Sequence, residues 1–123
     1  MVVEIKNLSK QFSPTAQLAL DAISASFPKG KIIGVAGPDG SGKTTLIRLM
    51  AGLLKPTEGS ITIAGYDTIQ DAEKIHFLTG YMPQRFGLYE DLTVMQNLSL
   101  YADLRGVVGE ERKATFEKLL KFT

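Results

Sequence analysis

The apolar residues in the first part of the chain recur with the spacing of strands. One β-prone stretch covers residues 2–8 and a second covers residues 18–27. Ser-Pro-Thr at 13–15 separates the two stretches, and Pro-Lys-Gly at 28–30 ends the second, because proline and glycine favour turns. The sequence therefore predicts two strands before the chain reaches its glycine-rich part.

One further strand is predicted before the glycine-rich part and one after it. Residues 31–36 (KIIGVA) form a short apolar run with β-branched side chains, which is typical of a strand buried on both faces of a parallel sheet. Residues 60–63 (SITI) alternate between polar and apolar side chains and predict another strand, which Gly65 closes. Residues 80–82 are expected to end one more strand.

Apolar residues recur at helical spacing after the glycine-rich part and through the second half of the chain. Apolar residues at helical spacing predict a helix over residues 43–54. It is expected to end at Lys55, because a residue that precedes proline avoids the helical region. A shorter helix is predicted over residues 71–78.

Two more helices are predicted after a loop. Thr93 followed by Gln96 has the form of a capping box, which marks the start of a helix, and Gly106 is placed to end it. Residues 110–122 begin with acidic and end with basic side chains, an order that suits the dipole of a last helix.

The composition of the chain limits which kinds of partner it can bind and where in the cell we expect it. The 14 basic and 13 acidic residues give a net charge of +1, which offers no electrostatic basis for binding nucleic acid or an anionic membrane surface. The chain has no cysteine, so it contains no disulfide and no thiolate metal site. No apolar run approaches the ~20 residues of a membrane span. We therefore expect one domain at most, cytoplasmic or peripheral to a membrane through a partner.

A phosphate-binding motif joins the predicted strand at 31–36 to the predicted helix that follows. Its pattern is a glycine, four residues, then Gly-Lys-Thr. Glycines let the backbone turn so that successive N–H groups point inward and hold an anion, and the helix adds the partial positive charge of its N-terminus. The motif consists of Gly37, Pro38, Asp39, Gly40, Ser41, Gly42, Lys43 and Thr44. It predicts that the chain binds the phosphates of a nucleoside triphosphate.

Three side chains of this motif have distinct expected roles. Lys43 is expected to reach the β- and γ-phosphates, and the hydroxyl of Thr44 is expected to coordinate Mg²⁺. The carboxylate of Asp39 repels a triphosphate, so we expect it to point away from the phosphates. The alternative is a flexible glycine loop with a solvated lysine, against which the strand and helix patterns on either side argue.

Three separated motifs stand in order along the chain. They are LSKQF at 8–12, the phosphate loop with AGLLKPTEG at 51–59 behind it, and GYMPQ at 80–84, which is followed by LTV at 92–94 and by Asn97-Leu98. Together they resemble the ATP-binding subunit of ABC transporters over nearly the whole chain. The segment FGLYEDLTV at 86–94 resembles in particular the subunits of ABC-2 type exporters, the YbhF-like multidrug-efflux ATPases.

The resemblance implies roles for three more residues. Phe12 matches the aromatic residue that stacks on adenine; the alternative is an aromatic of the core or of a turn. Gln84 matches the glutamine whose side chain meets Mg²⁺ and the attacking water, which makes it the candidate catalytic residue; the alternative is a surface-loop glutamine. Thr45 is expected to help hold the α-phosphate, and a helix-capping hydroxyl is an equal alternative.

The family implies an α/β fold of the P-loop NTPase class, ABC ATPase type. Residues 1–123 are then the N-terminal part of one ATP-binding domain. About 1–84 form the N-terminal β-subdomain and the phosphate-loop part of the RecA-like core, and about 85–123 start the helical subdomain. The family's Leu-Ser-Gly-Gly-Gln-like signature, apolar strand ending in Asp-Glu and switch histidine do not occur in these residues. We therefore expect a truncated domain that binds ATP with little or no turnover, whereas the full-length subunit is an ATPase coupled to transport.

The family also implies partners and a location. The partners are a second ATP-binding domain and ABC-2 type permease subunits, through which the chain is held at the cytoplasmic side of the inner membrane. Phe86 and Tyr89 either face the membrane partner or pack in the interior, and we expect the second. His76 is expected to be structural or exposed. In the family's sheet, the strand that ends in the acidic pair lies beside the phosphate-loop strand, here predicted at 31–36. Without that neighbour the predicted strand has an unpaired apolar edge, so self-association is a further hypothesis.

Two other classes of function stay open at this point. A small P-loop phosphotransferase usually places its loop near the N-terminus, whereas here 36 residues with two β-rich segments precede it. A non-catalytic nucleotide-binding regulator would use the same loop without hydrolysis.

Overall fold

The computed structural model describes residues 2–85 and 87–123, which divide into two compact units. One unit runs to Tyr81 and the other from Met82 to Thr123. The helices and strands, in chain order, are β1 (Val3–Lys10), β2 (Leu20–Phe27), α1 (Lys43–Met50), β3 (Glu58–Ile63), β4 (Tyr66–Asp67), α2 (Ala72–Leu78), α3 (Val94–Arg105) and α4 (Gly109–Phe122). The assignment of residues 1–84 and 85–123 to named subdomains stays a prediction.

The first unit is built on one antiparallel sheet with the strand order β2-β1-β3-β4. Within it Val3 of β1 lies opposite Phe27 of β2 on one side and Ile63 of β3 on the other. The strands predicted near residues 2–8, 18–27 and 60–63 are confirmed. The two-residue strand β4 was not predicted, because so short a segment shows no alternation.

The core of the first unit consists of buried side chains from the sheet and from α1 and α2. Its members are Ile5, Leu8, Leu20, Leu49, Ile61, Ile63 and Ile75. Leu49 is the buried residue of α1, and Ile75 is that of α2. Burying one such side chain stabilises the fold by about 1.5–3 kcal/mol. These contacts hold α1 in the core of this unit, and with it the loop that precedes the helix.

The strand predicted over residues 31–36 is wrong. This segment has no regular secondary structure; Ile32 is fully exposed, and Ile33 and Val35 are 44% and 39% exposed. A strand needs a neighbour for its N–H and C=O groups, and within residues 2–85 and 87–123 no extended segment pairs with this one. The strand end predicted at 80–82 is not formed either.

Helix α1 ends at Met50, four residues before the predicted end at residue 54. Gly52 adopts a left-handed φ of 71°. The N–H of Gly52 donates to the carbonyl of Leu49 at 3.1 Å, and the N–H of Leu53 donates to the carbonyl of Arg48 at 3.0 Å. This is a Schellman closure, which satisfies the last carbonyls of the helix. The glycine therefore ends the helix before the proline can.

Helix α3 begins and ends as predicted. The Thr93 hydroxyl accepts from the N–H of Gln96 at 3.2 Å, while the Gln96 side-chain oxygen accepts from the N–H of Thr93 at 2.8 Å. Each side chain thus satisfies a backbone donor of the other, which is the reciprocal pattern of a capping box. Gly106 ends the helix in the left-handed conformation with φ 69°.

Helix α4 is tied to α3 by one guanidinium. Arg112 donates to the main-chain carbonyl of Ser99 at 2.8 Å and pairs with the carboxylate of Asp103. No residue of α4 is buried, so its predicted apolar face packs only in part. Among the residues that the structure describes, no helix combines the length and the apolar character needed to cross a bilayer.

Candidate nucleotide-binding site

The glycine-rich segment forms a loop that leads directly into α1. The N–H of Ser41 donates to the carbonyl of Pro38 at 3.2 Å, which closes a turn across the middle of the loop. Gly40 and Gly42 have left-handed φ values of 78° and 96°. Residues with a side chain rarely adopt this conformation, so both glycines are needed for the path of the backbone.

Gly42 is also required by its surroundings. A Cβ atom at this position would stand 2.6 Å from the carbonyl oxygen of Ala19 and 2.8 Å from a methyl group of Leu20. Ala19 ends the loop between β1 and β2, and Leu20 begins β2. The N-terminus of α1 therefore lies directly against the start of β2, at a distance that only glycine permits.

The first turn of α1 presents unpaired donors. The first helical bond joins the N–H of Leu46 to the carbonyl of Gly42 at 2.9 Å, so the N–H groups of Lys43, Thr44 and Thr45 precede the hydrogen-bonded ladder. No side chain caps this end, and no acidic residue lies in the first turn. Free donors and the positive end of the helix dipole together favour an anion.

Lys43 lies across the loop that precedes it. Its ammonium donates to the carbonyls of Gly37 at 2.7 Å and Pro38 at 2.8 Å, and its Nζ lies 3.4 Å from the hydroxyl of Ser41. A Cβ atom on Gly37 would stand 2.7 Å from that hydroxyl oxygen. The Lys43 ammonium thus folds back over residues 37–41, the segment that leads into the helix with these free donors.

These residues fit the phosphate groups of a nucleotide. Residues 37–45 offer three features that favour an anion: the free N–H groups at the start of α1, the positive end of its dipole and the Lys43 ammonium. Thr44 is the second residue of α1, and its hydroxyl is a hard oxygen donor of the kind that Mg²⁺ prefers. Thr44 is exposed and Thr45 half-buried, while the orientation expected for Asp39 stays a prediction.

Phe12 lies outside the core, on the loop between β1 and β2. Its ring is 59% exposed, which excludes the core alternative. The same loop ends at Ala19, whose carbonyl meets Gly42, so the ring and the phosphate loop belong to neighbouring parts of one unit. An exposed ring on this loop is available for stacking on a base.

Gln84 belongs to the second unit. It is exposed and lies in the irregular segment that precedes α3. Its expected contacts with Mg²⁺ and water stay a prediction. The sequence placed it correctly in a loop.

An apolar cleft of about 390 Å³ opens in the second unit, between the segment before α3 and α3 itself. Tyr89 is 57% exposed there, so the expectation that it packs in the interior is wrong. Asn97 holds the backbone N–H and carbonyl of Tyr89, while the ring of Tyr89 lies at the surface. Phe86, for which the same expectation was stated, lies outside the described residues. The cleft is lined by Leu88, Tyr89, Glu90, Leu92, Val94, Asn97, Leu98 and Tyr101.

Asn97, which belongs to the motifs that resemble the family, has an organising role that the sequence did not predict. It is 8% exposed; its side-chain oxygen accepts from the N–H of Tyr89 at 2.9 Å, and its amide lies within 3.2 Å of the carbonyls of Tyr89, Leu92 and Thr93. A polar side chain at a helix position just after a capping box was the available signal. His76 is exposed, as expected, and its Nε2 lies 3.3 Å from the carbonyl of Gly52.

Comparison with known proteins identifies relatives of the whole chain. A family model described as ABC transporter matches residues 20–123. The chain is 52% identical over 122 residues to the probable multidrug ABC transporter ATP-binding protein YbhF of Escherichia coli (strain K12). The aligned residues make up 99% of this chain and 21% of that protein. It is 34% identical over 119 residues to the retinal-specific phospholipid-transporting ATPase ABCA4 of Mus musculus, and the aligned residues make up 97% of this chain and 5% of that protein. The chain thus spans a small part of the length of both relatives.

Solved structures share the architecture. The dimeric post-hydrolysis state of the ATP-binding cassette MJ0796 bound to ADP and Pi superposes with a TM-score of 0.77 at 28% identity, over 94% of this chain and 54% of that one. A structure of the ATP-binding subunit of an ABC transporter gives a TM-score of 0.76 at 32% identity, over 88% of this chain and 44% of that one. The predicted α/β fold of the P-loop NTPase class is confirmed. The three motifs predicted the family correctly: the chain belongs to the ABC transporter family, as an ATP-binding domain similar to that of YbhF-like multidrug transporters.

Proposed function

We propose that this chain binds ATP with Mg²⁺ through the loop at residues 37–44, and that it serves an exporter whose permease is of the ABC-2 type. The observation that carries the proposal is the uncapped N-terminus of α1, which follows a glycine loop across which the Lys43 ammonium lies. The similar cassette MJ0796 is described as bound to ADP and Pi, which is the expected product pair of the same chemistry.

Each site residue then has a defined task. The N–H groups at the start of α1 bind phosphate oxygens, and Lys43 neutralises charge at the β- and γ-phosphates. Thr45 assists at the α-phosphate, while Phe12 stacks on the adenine. When bound, Mg²⁺ would meet the Thr44 hydroxyl and would supply the charge that polarises the terminal phosphate; the family resemblance also assigns a metal contact to Gln84. Gln84 additionally orients the attacking water.

We further propose that these 123 residues bind ATP without appreciable turnover. Hydrolysis needs a group that holds or deprotonates the attacking water, and in this family an acidic pair after an apolar strand has that task. The 123 residues hold Gln84 but no such pair. The full-length subunit would complete the set and would work as an ATPase.

The partners follow from the same assignment. A second ATP-binding domain would form the dimer, as the dimeric cassette MJ0796 suggests by analogy. ABC-2 type permease subunits would hold the domain at the cytoplasmic side of the inner membrane. The apolar cleft beside Tyr89 supports such docking, because an exposed apolar surface of this kind is typical of a contact site.

Calorimetric titration with ATP and ADP, each with and without Mg²⁺, tests the binding proposal. Lys43→Ala is expected to weaken ATP binding by about 10- to 100-fold, because a charge-assisted hydrogen bond is worth roughly 1.5–3 kcal/mol. Lys29→Ala, in the exposed turn after β2, is the matched control and should bind as the unaltered chain does. Equal affinities of the Lys43→Ala variant and the unaltered chain would refute the assignment of the loop.

A further inference from the structure

The backbone beside Phe12 is held from both sides by one hydroxyl. The N–H of Gln11 donates to the Thr57 hydroxyl at 2.9 Å, and the same hydroxyl donates to the carbonyl of Gln11 at 3.2 Å. Thr57 is the residue that precedes β3, so it is anchored to the sheet. The peptide groups on either side of Gln11 therefore have a fixed position, although the ring of the next residue is exposed.

The ring itself is held by a cation. The ammonium of Lys10 lies 5.2 Å from the centroid of the Phe12 ring and donates to the main-chain carbonyl of Lys55 at 2.8 Å. One end of this bridge is the turn after α1, and the other is the ring. Phe12 is 59% exposed beside this cation, so part of its surface stays open to an aromatic base.

Two further bonds close the loop that carries the ring. The Gln11 side chain donates to the carbonyl of Ala16 at 2.6 Å, and the N–H of Ala19 donates to the carbonyl of Lys10 at 2.8 Å. A surface loop of nine residues, from 11 to 19, is thus tied at its start, at its middle and at its end. Such fixing reduces the conformational entropy that a ligand must remove when it binds.

We propose that Lys10 and Thr57 are positioning residues that set the place of the Phe12 ring, and through it the strength of binding to the base of the nucleotide. The inference rests on the proposed function, because it needs a nucleotide at the phosphate loop. Neither residue touches the base. Lys10 fixes the ring, and Thr57 fixes the backbone from which the ring projects.

The inference predicts a split between two ligands. ATP has a base and phosphates, whereas inorganic tripolyphosphate has phosphates alone. A residue that acts through Phe12 affects the first ligand only, while a residue that merely supports the fold affects both. Affinity for ATP and for tripolyphosphate, each with Mg²⁺, is therefore the informative pair of measurements.

Thr57→Val removes the hydroxyl with little change of shape, and Lys10→Met removes the charge with little change of length. Each is expected to lower ATP affinity about 2- to 10-fold, within the range of one stacking or cation–π contact, and to leave tripolyphosphate affinity unchanged. Thr57→Ser and Lys10→Arg restore the hydroxyl and the charge and should restore ATP affinity. Lys6→Met makes the same change on an exposed residue of β1 and serves as the control.

The same two substitutions are repeated on a chain that carries Phe12→Ala. The inference requires that they have no further effect on ATP affinity there, because the residue through which they act is gone. Equal losses for ATP and tripolyphosphate, or unchanged losses in the Phe12→Ala background, would overturn it. If the unaltered chain binds neither ligand, the proposed function fails and the inference with it; if it binds ATP and Thr57→Val and Lys10→Met change nothing, the inference alone fails.

Discussion

The carbonyl oxygen of Ala19 lies 2.6 Å from the point where a Cβ atom on Gly42 would stand. This approach joins the end of the loop that carries Phe12 to the residue that caps the helix beginning at Lys43. The two segments proposed to hold the base and the phosphates therefore meet through main-chain atoms, at a place where no side chain fits.

Gly42→Ala should therefore be far more damaging than Gly40→Ala. Both residues have a left-handed φ, which costs an alanine about 1–2 kcal/mol. Only at Gly42 does the added Cβ also meet a backbone atom, whereas Gly40 has open space around it. We expect Gly42→Ala to lower the free energy of unfolding by about 3 kcal/mol or more and Gly40→Ala by about 1–2 kcal/mol in urea denaturation. Similar losses at the two sites would mean that the contact with Ala19 has no energetic weight.

Phe12→Ala should weaken nucleotide binding without weakening the fold. Stacking of a base on an aromatic ring is worth about 1–3 kcal/mol, which corresponds to roughly 5- to 150-fold in affinity. Because stacking tolerates any base, ATP and GTP should lose affinity alike. The melting temperature should stay within about 2 °C, since the ring is 59% exposed. Phe122→Ala, at a 92% exposed ring, is the control. A loss confined to ATP would contradict a stacking contact that tolerates any base.

Asn97→Leu should loosen the segment before α3. The substitution leaves the N–H of Tyr89 and its carbonyl without their side-chain partner, at a cost of about 2–4 kcal/mol in the free energy of unfolding. Hydrogen exchange should accelerate most at the amide of Tyr89. Gln96→Met, on the exposed neighbouring position, should cost only about 1 kcal/mol. Unchanged exchange in the Asn97→Leu variant would contradict the organising role.

Arg112→Met should release α4 from α3. The variant loses the bond to the Ser99 carbonyl and the pair with Asp103, and it also loses the cation over the ring of Phe116. We expect proteolysis near Gly109 to accelerate several-fold, with a loss of about 1–2 kcal/mol in stability. Lys113→Met removes a neighbouring exposed charge and should leave the cleavage rate unchanged. Equal cleavage of both variants would place the attachment of α4 elsewhere.

Local signals predicted the parts of the fold that local interactions decide. The capping box at Thr93 and Gln96 needs only residues of its own turn, and it was found in place. The phosphate loop likewise depends on glycines and a lysine within one short segment. By contrast, the run at 31–36 was predicted as a buried strand from its composition, and whether such a run pairs depends on residues far away in sequence.

The missed features are contacts between distant segments. Thr57 holds Gln11 across 46 positions of sequence, and nothing in the pattern around either residue shows it. The early end of α1 is different, because Gly52 is visible in the sequence. The prediction placed the end of α1 at the proline after Lys55, whereas Gly52 ends the helix earlier by adopting a left-handed φ.

Strand order in the sheet has a consequence for how the chain folds. Because β1 pairs with β3, every residue from 11 to 57 lies inside the loop that this pairing closes. That loop contains Phe12, all of the phosphate loop and α1. Long-range pairing of this kind forms late, since the entropy of closing the loop is lost before the contacts repay it. A growing chain therefore acquires the shape proposed to hold ATP only when β3 has been made and has paired with β1.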